Sequence, residues 1–432
     1  MNTIENIKEQ YRQTQATNGT SLLTPLEQNA FDTFNQLGIP TVRNEEWKYT
    51  RIGGLFNKDF KLAVSADALG QKDLETFFLP GHEEANVLIF INGIYSKNLS
   101  TIRSSEIDVM SLEEAANSKY SNTVATHLGH SSKYIKDGIH ALNTAFIKEG
   151  VFVHIKRGKV AEHPIYFYHF NDARTVNVLS QPRTLVHVDV AAQVQMVQHY
   201  KTIGTAESFT NQVIEVVVEQ DAVIENYCIQ ADASHTSQVN TTHFRQVGKS
   251  YVHTVTITLD GALVRNNLNI AMEAEHTEAL LHGLYFLKGK SHVDNHTVVD
   301  NRKPHLLSNE LYKGVIDDEA TAIFNGKIFV QPDAQKINAF QSNKNILLSD
   351  TASVNTKPQL EIFADDVKCS HGCTVGQLDE EGLFYLQSRG ISKGMAKSLL
   401  VHAFAIDILT HIKLETIRNY VDGLISERLQ LH

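Results

Sequence analysis

Cysteine is almost absent from this chain: Cys228, Cys369 and Cys373 are the only three among 432 residues. Three cannot build a disulfide framework, and so low a count fits a reducing compartment. Apolar runs such as Asn86–Ile91 are far short of the ~20 residues that span a bilayer. The N-terminus, MNTIENIKEQ, is polar and carries both charge signs, without the basic segment and apolar core of a secretory signal. The expected compartment is the cytoplasm, with no membrane partner. Basic residues are the minority, 39 Lys and Arg against 49 Asp and Glu, for a formal charge of −10. That balance argues against nucleic acid, whose binding depends on neutralising phosphates.

Catalytic signatures are missing as well. The tripeptide Gly-Lys-Ser occurs at 248–250 and 289–291, but a phosphate loop needs a further glycine five positions upstream, where His243 and Leu284 stand. There is no Gly-x-Gly-x-x-Gly after a strand, no nucleophile elbow and no His-Glu-x-x-His. The chain is therefore expected to lack a nucleotide or hydrolase site of its own and to be no enzyme.

What is present is an ordinary globular composition, 42% apolar and 20% charged, in a chain long enough for two or three domains. The first ~60 residues read as helical. Thr24-Pro25-Leu26-Glu27 has the form of a capping box, Leu26, Ala30, Phe34 and Leu37 recur at helical spacing, and Gly38 and Pro40 end the run. Trp47, the only tryptophan, reads as a packed hinge between helix and core. Val87–Asn92 has the look of a buried strand, and Met110–Lys148 reads as mostly helical. From Val151 the pattern changes to period two, as in Val151–Ile155, Ile165–Phe170, Leu185–Val190 and Val213–Val218. After Asp221 a looser motif recurs, a small or turn-forming residue followed by apolar alternation, at 221, 261, 319 and 333, with no fixed period. About 200 residues of strand with almost no helix exclude a doubly wound fold, and a β-solenoid fits this length better than a sandwich. Beyond Gly376 three helices are expected. Asp379 caps the first, Met395, Leu399, Ala403, Ile406 and Leu409 line the second, and Leu414, Ile417, Val421 and Leu424 line the third. The divisions expected are 1–150 (mostly helical), 151–376 (β core) and 377–432 (helical).

Two groups of residues can carry chemistry. In Cys369-Ser370-His371-Gly372-Cys373, an extended backbone puts 369, 371 and 373 on one face, and thiolate and imidazole suit zinc, copper and iron–sulfur centres. The competing reading is a strand end with two small thiols and a hydrogen-bonded histidine. His292, Asp294 and His296, followed by His305, share a face in the same way; the plainer reading there is a solvated polar strand face rather than a metal triad. Asp365 and Asp366 are adjacent, so on a strand they would point apart, which counts against a β-helix enzyme acting on polysaccharide. A free-standing metal-binding protein using Cys369, His371 and Cys373 is the other alternative.

The stretch from Leu360 to Ile391 resembles the C-terminal signature of the SufB/SufD family of iron–sulfur cluster assembly proteins, its SufD branch in particular. Asn44–Thr50 resembles the N-terminal motif of that branch. Tyr312–Gly314, Ala322–Ile328, Ala334–Gln341 and Asn343–Ser349 resemble the family's core. The resemblance implies a right-handed parallel β-helix between helical regions. It also implies a scaffold complex with SufB, met through the end of the β-helix, and with the ATPase SufC, which would supply the missing phosphate loop. A transient iron–sulfur cluster shared with SufB is implied, with His371 at the interface and Cys369 beside it. Cys373 stands where the family often has Ala. SufC docking is implied for the segment with Arg389, Gly390, Ile391, Leu400 and Phe404. The family's complex is associated with reduced flavin, for which this chain shows no recognisable motif, and a homodimer of the isolated chain is left open.

Overall fold

The computed structural model describes residues 3–17, 21–62 and 69–430. From Gln193 to Gly376 each strand pairs in parallel with the strand two places further on, not with the next. The chain therefore winds between two facing sheets, a β-solenoid of about eight turns. We call the sheet ending in Ser353–Ile362 sheet A and that ending in Val367–Gly376 sheet B. Successive coils stack Val223, Tyr251, Glu278, Leu307 and Asn338 in sheet B, and Leu263, His292, Thr321 and Ser353 in sheet A. The repeat is thus close to thirty residues but drifts by a few at the corners.

Those corners explain why no period stood out in the sequence. Asp221, His276, His305, Asp318 and Lys336 all adopt left-handed φ values between 54° and 60°. That region is costly for a side chain and is normally marked by glycine. Here the next coil holds the backbone in place. The N–H of His305 donates to the Gln335 carbonyl at 3.0 Å, and that of Lys336 to Asp366 at 2.6 Å.

The interior is apolar at most inward positions, including Val216, Ile224, Leu281, Phe324 and Ile328. It also contains polar ladders. Gln198 Nε2 donates to Asn226 Oδ1 at 2.8 Å, and Asn226 donates to Thr254 at 3.0 Å. Buried amides are tolerated because each coil presents a partner to the next. Two glycines take part in this packing. Gly283 lies beside Tyr312 and Gly314 beside Tyr285 in register, and a Cβ on either would fall 2.2 Å from the facing ring. In Tyr312-Lys313-Gly314 the tyrosine covers one glycine, the glycine admits the other ring, and Lys313 pairs outward with Asp407 at 2.7 Å.

The two ends differ. At the N-terminal end Asn86–Ile91 and Ile107–Ser111 extend the sheets, with Ile94–Tyr95 antiparallel to the first and Val151–Ile155 antiparallel to the second. The N-terminal region is accordingly mixed α/β, its helices joined by segments that complete the sheets. At the other end no strand among the described residues lies beyond Ser353–Ile362 or Val367–Gly376.

Helices cover the outer faces. The helix Thr24–Leu37 ends at Gly38 as expected, but its N-cap is Leu23 and no capping box forms; the Glu27 carboxylate is buried against Lys148 at 3.3 Å. The C-terminal helices Glu380–Ser388, Lys393–Leu409 and Glu415–Leu429 match the expected three. Asp379 accepts from the Glu381 N–H as the first cap. The second helix buries Ala396, Val401, Ala405, Ile408 and Leu409, and leaves Met395, Leu399 and Ile406 exposed. The stripe read from its sequence is therefore mostly the outer one, because this helix is apolar on more than one side. No helix among the described residues is long and apolar enough to cross a membrane.

The Tyr–Gly packing is testable. Gly314→Ala overpacks a site bounded by Tyr285 and Asn345 and is expected to cost about 1–3 kcal/mol, measured by denaturant unfolding; an unchanged midpoint would show that the rings move aside freely.

Candidate functional site at the open end of the solenoid

On Val367–Gly376, Cys369 lies in register with Ala339, His371 with Gln341 and Cys373 with Asn343. Those three partners are all inward-facing, and Ala339, Gln341 and Asn343 are buried. Cys369, His371 and Cys373 thus share the inner face, as period two requires. They are nevertheless accessible, Cys369 partly and the other two exposed, because no further coil among the described residues covers them. The candidate residues form the rim of an open mouth. Alternate side chains on a strand stand about 7 Å apart, so the three donors run in a row and do not converge on one point. Partial burial pushes the Cys369 thiol pKa up, which favours the protonated form until a metal or partner arrives. Asp365 and Asp366 sit on the bend before this strand, not on a strand face.

Beneath His371 lies a polar column that sequence reading missed. Gln341, its register partner, donates to Glu310 Oε2 at 2.7 Å, and Glu310 is the register partner of Gln341 one coil down. Glu310 is fully buried, and desolvation pushes its pKa up to about 7, with Thr297 and Gln341 opposing the shift. The three residues are about thirty apart in sequence, so only stacking makes them neighbours.

The second candidate group has a different role. Asp294 is buried and paired with Arg265 at 2.7 Å and His296 at 2.9 Å, and it accepts from the Thr50 hydroxyl at 2.5 Å. His292 contacts the same hydroxyl at 2.9 Å. This face is not solvated; the Asn44–Thr50 segment lies over it. Arg265 also donates to the Glu46 carbonyl at 2.7 Å and stacks 4.0 Å from the Trp47 ring, whose Nε1 donates to Asp137 at 2.9 Å. Lys327 holds Glu46 at 2.5 Å and Lys357 holds Glu45 at 2.6 Å. Trp47 is buried, as a packed hinge should be. His305 is elsewhere, on a corner stacked against His276. The group anchors the N-terminal segment to sheet A.

The C-terminal helices stand on the outer face of sheet B. Arg389 is exposed and lies over the Tyr385 ring at 5.2 Å, Gly390 has φ 85°, and Ile391 is half-buried. Leu400 touches the first helix near Gly382, and Phe404 packs inward, with Lys313 over its ring at 4.5 Å. Phe384 is 74% exposed and Tyr385 57%.

Comparison with known proteins bears on all of these parts. Residues 169–404 match the SufBD core domain of the SUF system for iron–sulfur cluster assembly, and residues 2–167 match the SufBD N-terminal region. The chain belongs to the SufBD family. An iron–sulfur cluster assembly SufBD family protein of Synechocystis is 32% identical over 94% of this chain and 91% of its own length. The iron–sulfur cluster assembly protein SufD of Escherichia coli is 27% identical over 94% of this chain and 93% of its own. A chloroplastic protein of Arabidopsis thaliana is 30% identical over 63% of this chain and 60% of its own. As a SufBD protein the chain has its place in SUF iron–sulfur cluster assembly, among the SUF proteins.

Two outcomes are expected. The folded-state pKa of Glu310 lies above the unfolded value, so its contribution is complete below about pH 4.5 and is lost as pH rises through about 7. Glu310→Gln should therefore stabilise the SufBD chain on the order of 3 kcal/mol at about pH 8 and hardly at all at about pH 4; denaturant melts at both pH values decide it, and an equal effect at both would refute the shift. Arg265→Met leaves Asp294 without its guanidinium partner and should cost about 3–5 kcal/mol. Because Trp47 is the only tryptophan, its emission should also move toward that of water-exposed indole, and a wild-type spectrum would mean that the segment is held elsewhere.

Proposed function

We propose that this chain is the SufD-type subunit of a SufBCD scaffold, which pairs its open solenoid end with SufB, carries SufC on its C-terminal helices and supports cluster formation at the seam. It works as a scaffold and not as an enzyme. The observation that carries the reading is the uncovered last coil. Two strands of ten residues each, Ser353–Ile362 and Val367–Gly376, end their sheets with no strand beyond them among the described residues. Natural proteins avoid long bare edges, which recruit other strands. A partner that continues both sheets satisfies those edges and roofs Cys369, His371 and Cys373.

A shared seam also suits the chemistry of a transient cargo. A complete ligand set in one chain would hold a cluster too firmly for release, whereas a row of three donors in an open mouth is incomplete until a partner adds its own. In this reading His371 is the principal ligand from this side, with Cys369 beside it and Cys373 in a lesser part. The second copy of the same chain is the competing occupant of these edges, since like ends can also pair.

SufC is assigned to the exposed apolar surface of the C-terminal helices. The helix Glu380–Ser388 buries no residue, and Phe384, Tyr385, Met395, Leu399 and Ile406 form outward apolar positions on it and its neighbour. Surface of this kind marks partner binding.

His371→Ala is expected to leave the fold and the complex with SufB and SufC intact and to reduce cluster maturation in a SufD-deficient strain under iron limitation. Cys373→Ala should be milder. Full growth of the His371 variant would assign the cluster ligands to SufB alone. Phe384→Asp combined with Leu399→Asp should abolish co-purification with SufC while the melting temperature stays within a few degrees, and retained SufC would place its docking surface elsewhere. Size-exclusion chromatography with and without SufB separates the heterocomplex from a homodimer.

A further inference from the structure

We propose that His253, His282 and His411 form a site for one late first-row divalent metal ion of the zinc(II) or cobalt(II) class, which ties the C-terminal helices to the outer face of sheet B. His253 and His282 stand on adjacent strands, Tyr251–Asp260 and Glu278–Leu287, and are offset diagonally: His253 lies beside Leu280, and His282 beside Val255. His411 comes from the turn just after the helix Lys393–Leu409. One donor atom from each lies within 4.8 Å of the other two, the only such group of three among the described residues. His253 Nε2 is 3.2 Å from His282 Nδ1, and the His282 and His411 rings stack at 3.6 Å.

The surroundings favour a cation over a simple hydrogen-bonded cluster. His253 is 2% exposed and His282 4%, and the second ring nitrogen of His253, Nδ1, has no partner. A buried imidazole nitrogen without a partner is costly. Two carboxylates flank the group, each already paired with a lysine. Glu225 is the register partner of His253 and is bonded to Lys413, and Asp407 is held by Lys313. His411 is only half-buried, so the site is open to water on that side. Three imidazoles with one open position suit zinc and its neighbours, and the absence of thiolate separates this site from the solenoid mouth.

The test uses the full chain, tag-free and stripped of metal, titrated with cobalt(II) while visible absorption is recorded. One equivalent should bind and give ligand-field bands without the thiolate-to-metal band in the near ultraviolet. His411→Ala, at a turn where circular dichroism should show an unchanged fold, is expected to weaken binding by about tenfold or more. His253→Gln should do the same, and zinc(II) should raise the melting temperature of the wild type but not of either variant. No cobalt(II) bound at one equivalent, equal binding by His411→Ala, or a thiolate band lost in Cys369→Ser would each overturn the proposal.

Discussion

Every other feature of this molecule depends on the parallel backbone pairing of each coil with the coil beneath it. That pairing sets which residue lies above which. It makes Glu310, Gln341 and His371 one column, places Gly283 under Tyr312, and brings Glu225 beside His253. Because parallel coils bond only to their neighbours, stability is close to a sum of interface terms and the stack has two ends that must be dealt with separately.

The ends are treated differently, and the difference gives the fold its direction. Antiparallel strands close the N-terminal end, a device that stops further parallel addition. The C-terminal end keeps its hydrogen-bonding edge and the inner face of its last coil open to solvent. A ligand row on the inner face of an ordinary coil would be buried and inert. The row of Cys369, His371 and Cys373, on the last coil, stays accessible.

The flanking segments act on opposite faces by different forces. Sheet A is covered through charge: Arg265, Lys327 and Lys357 hold the segment around Trp47, and Asp294 would be an isolated buried anion without Arg265 and His296. Sheet B is covered through apolar packing, with Val401, Ile408, Ile417 and Val421 against Tyr227, Ile257 and Phe286. The outward apolar positions left on the C-terminal helices are thus spare to the chain's own folding.

Local periodicity was enough to order the chain into helices, strands and helices, and to put Cys369, His371 and Cys373 on one face. Strand alternation is a backbone property that holds in any surroundings. The coil length escaped it because non-glycine residues such as Asp221, His305 and Lys336 occupy left-handed corners, held there by bonds from the next coil. The buried stripe of the second C-terminal helix escaped it too, since a helix apolar on several sides does not say which side meets the core. The burial of Asp294, the polar column under His371 and the meeting of His411 with His253 and His282 were decided only by tertiary structure. Each joins residues about thirty or more positions apart, and nothing local encodes which coil lands on which.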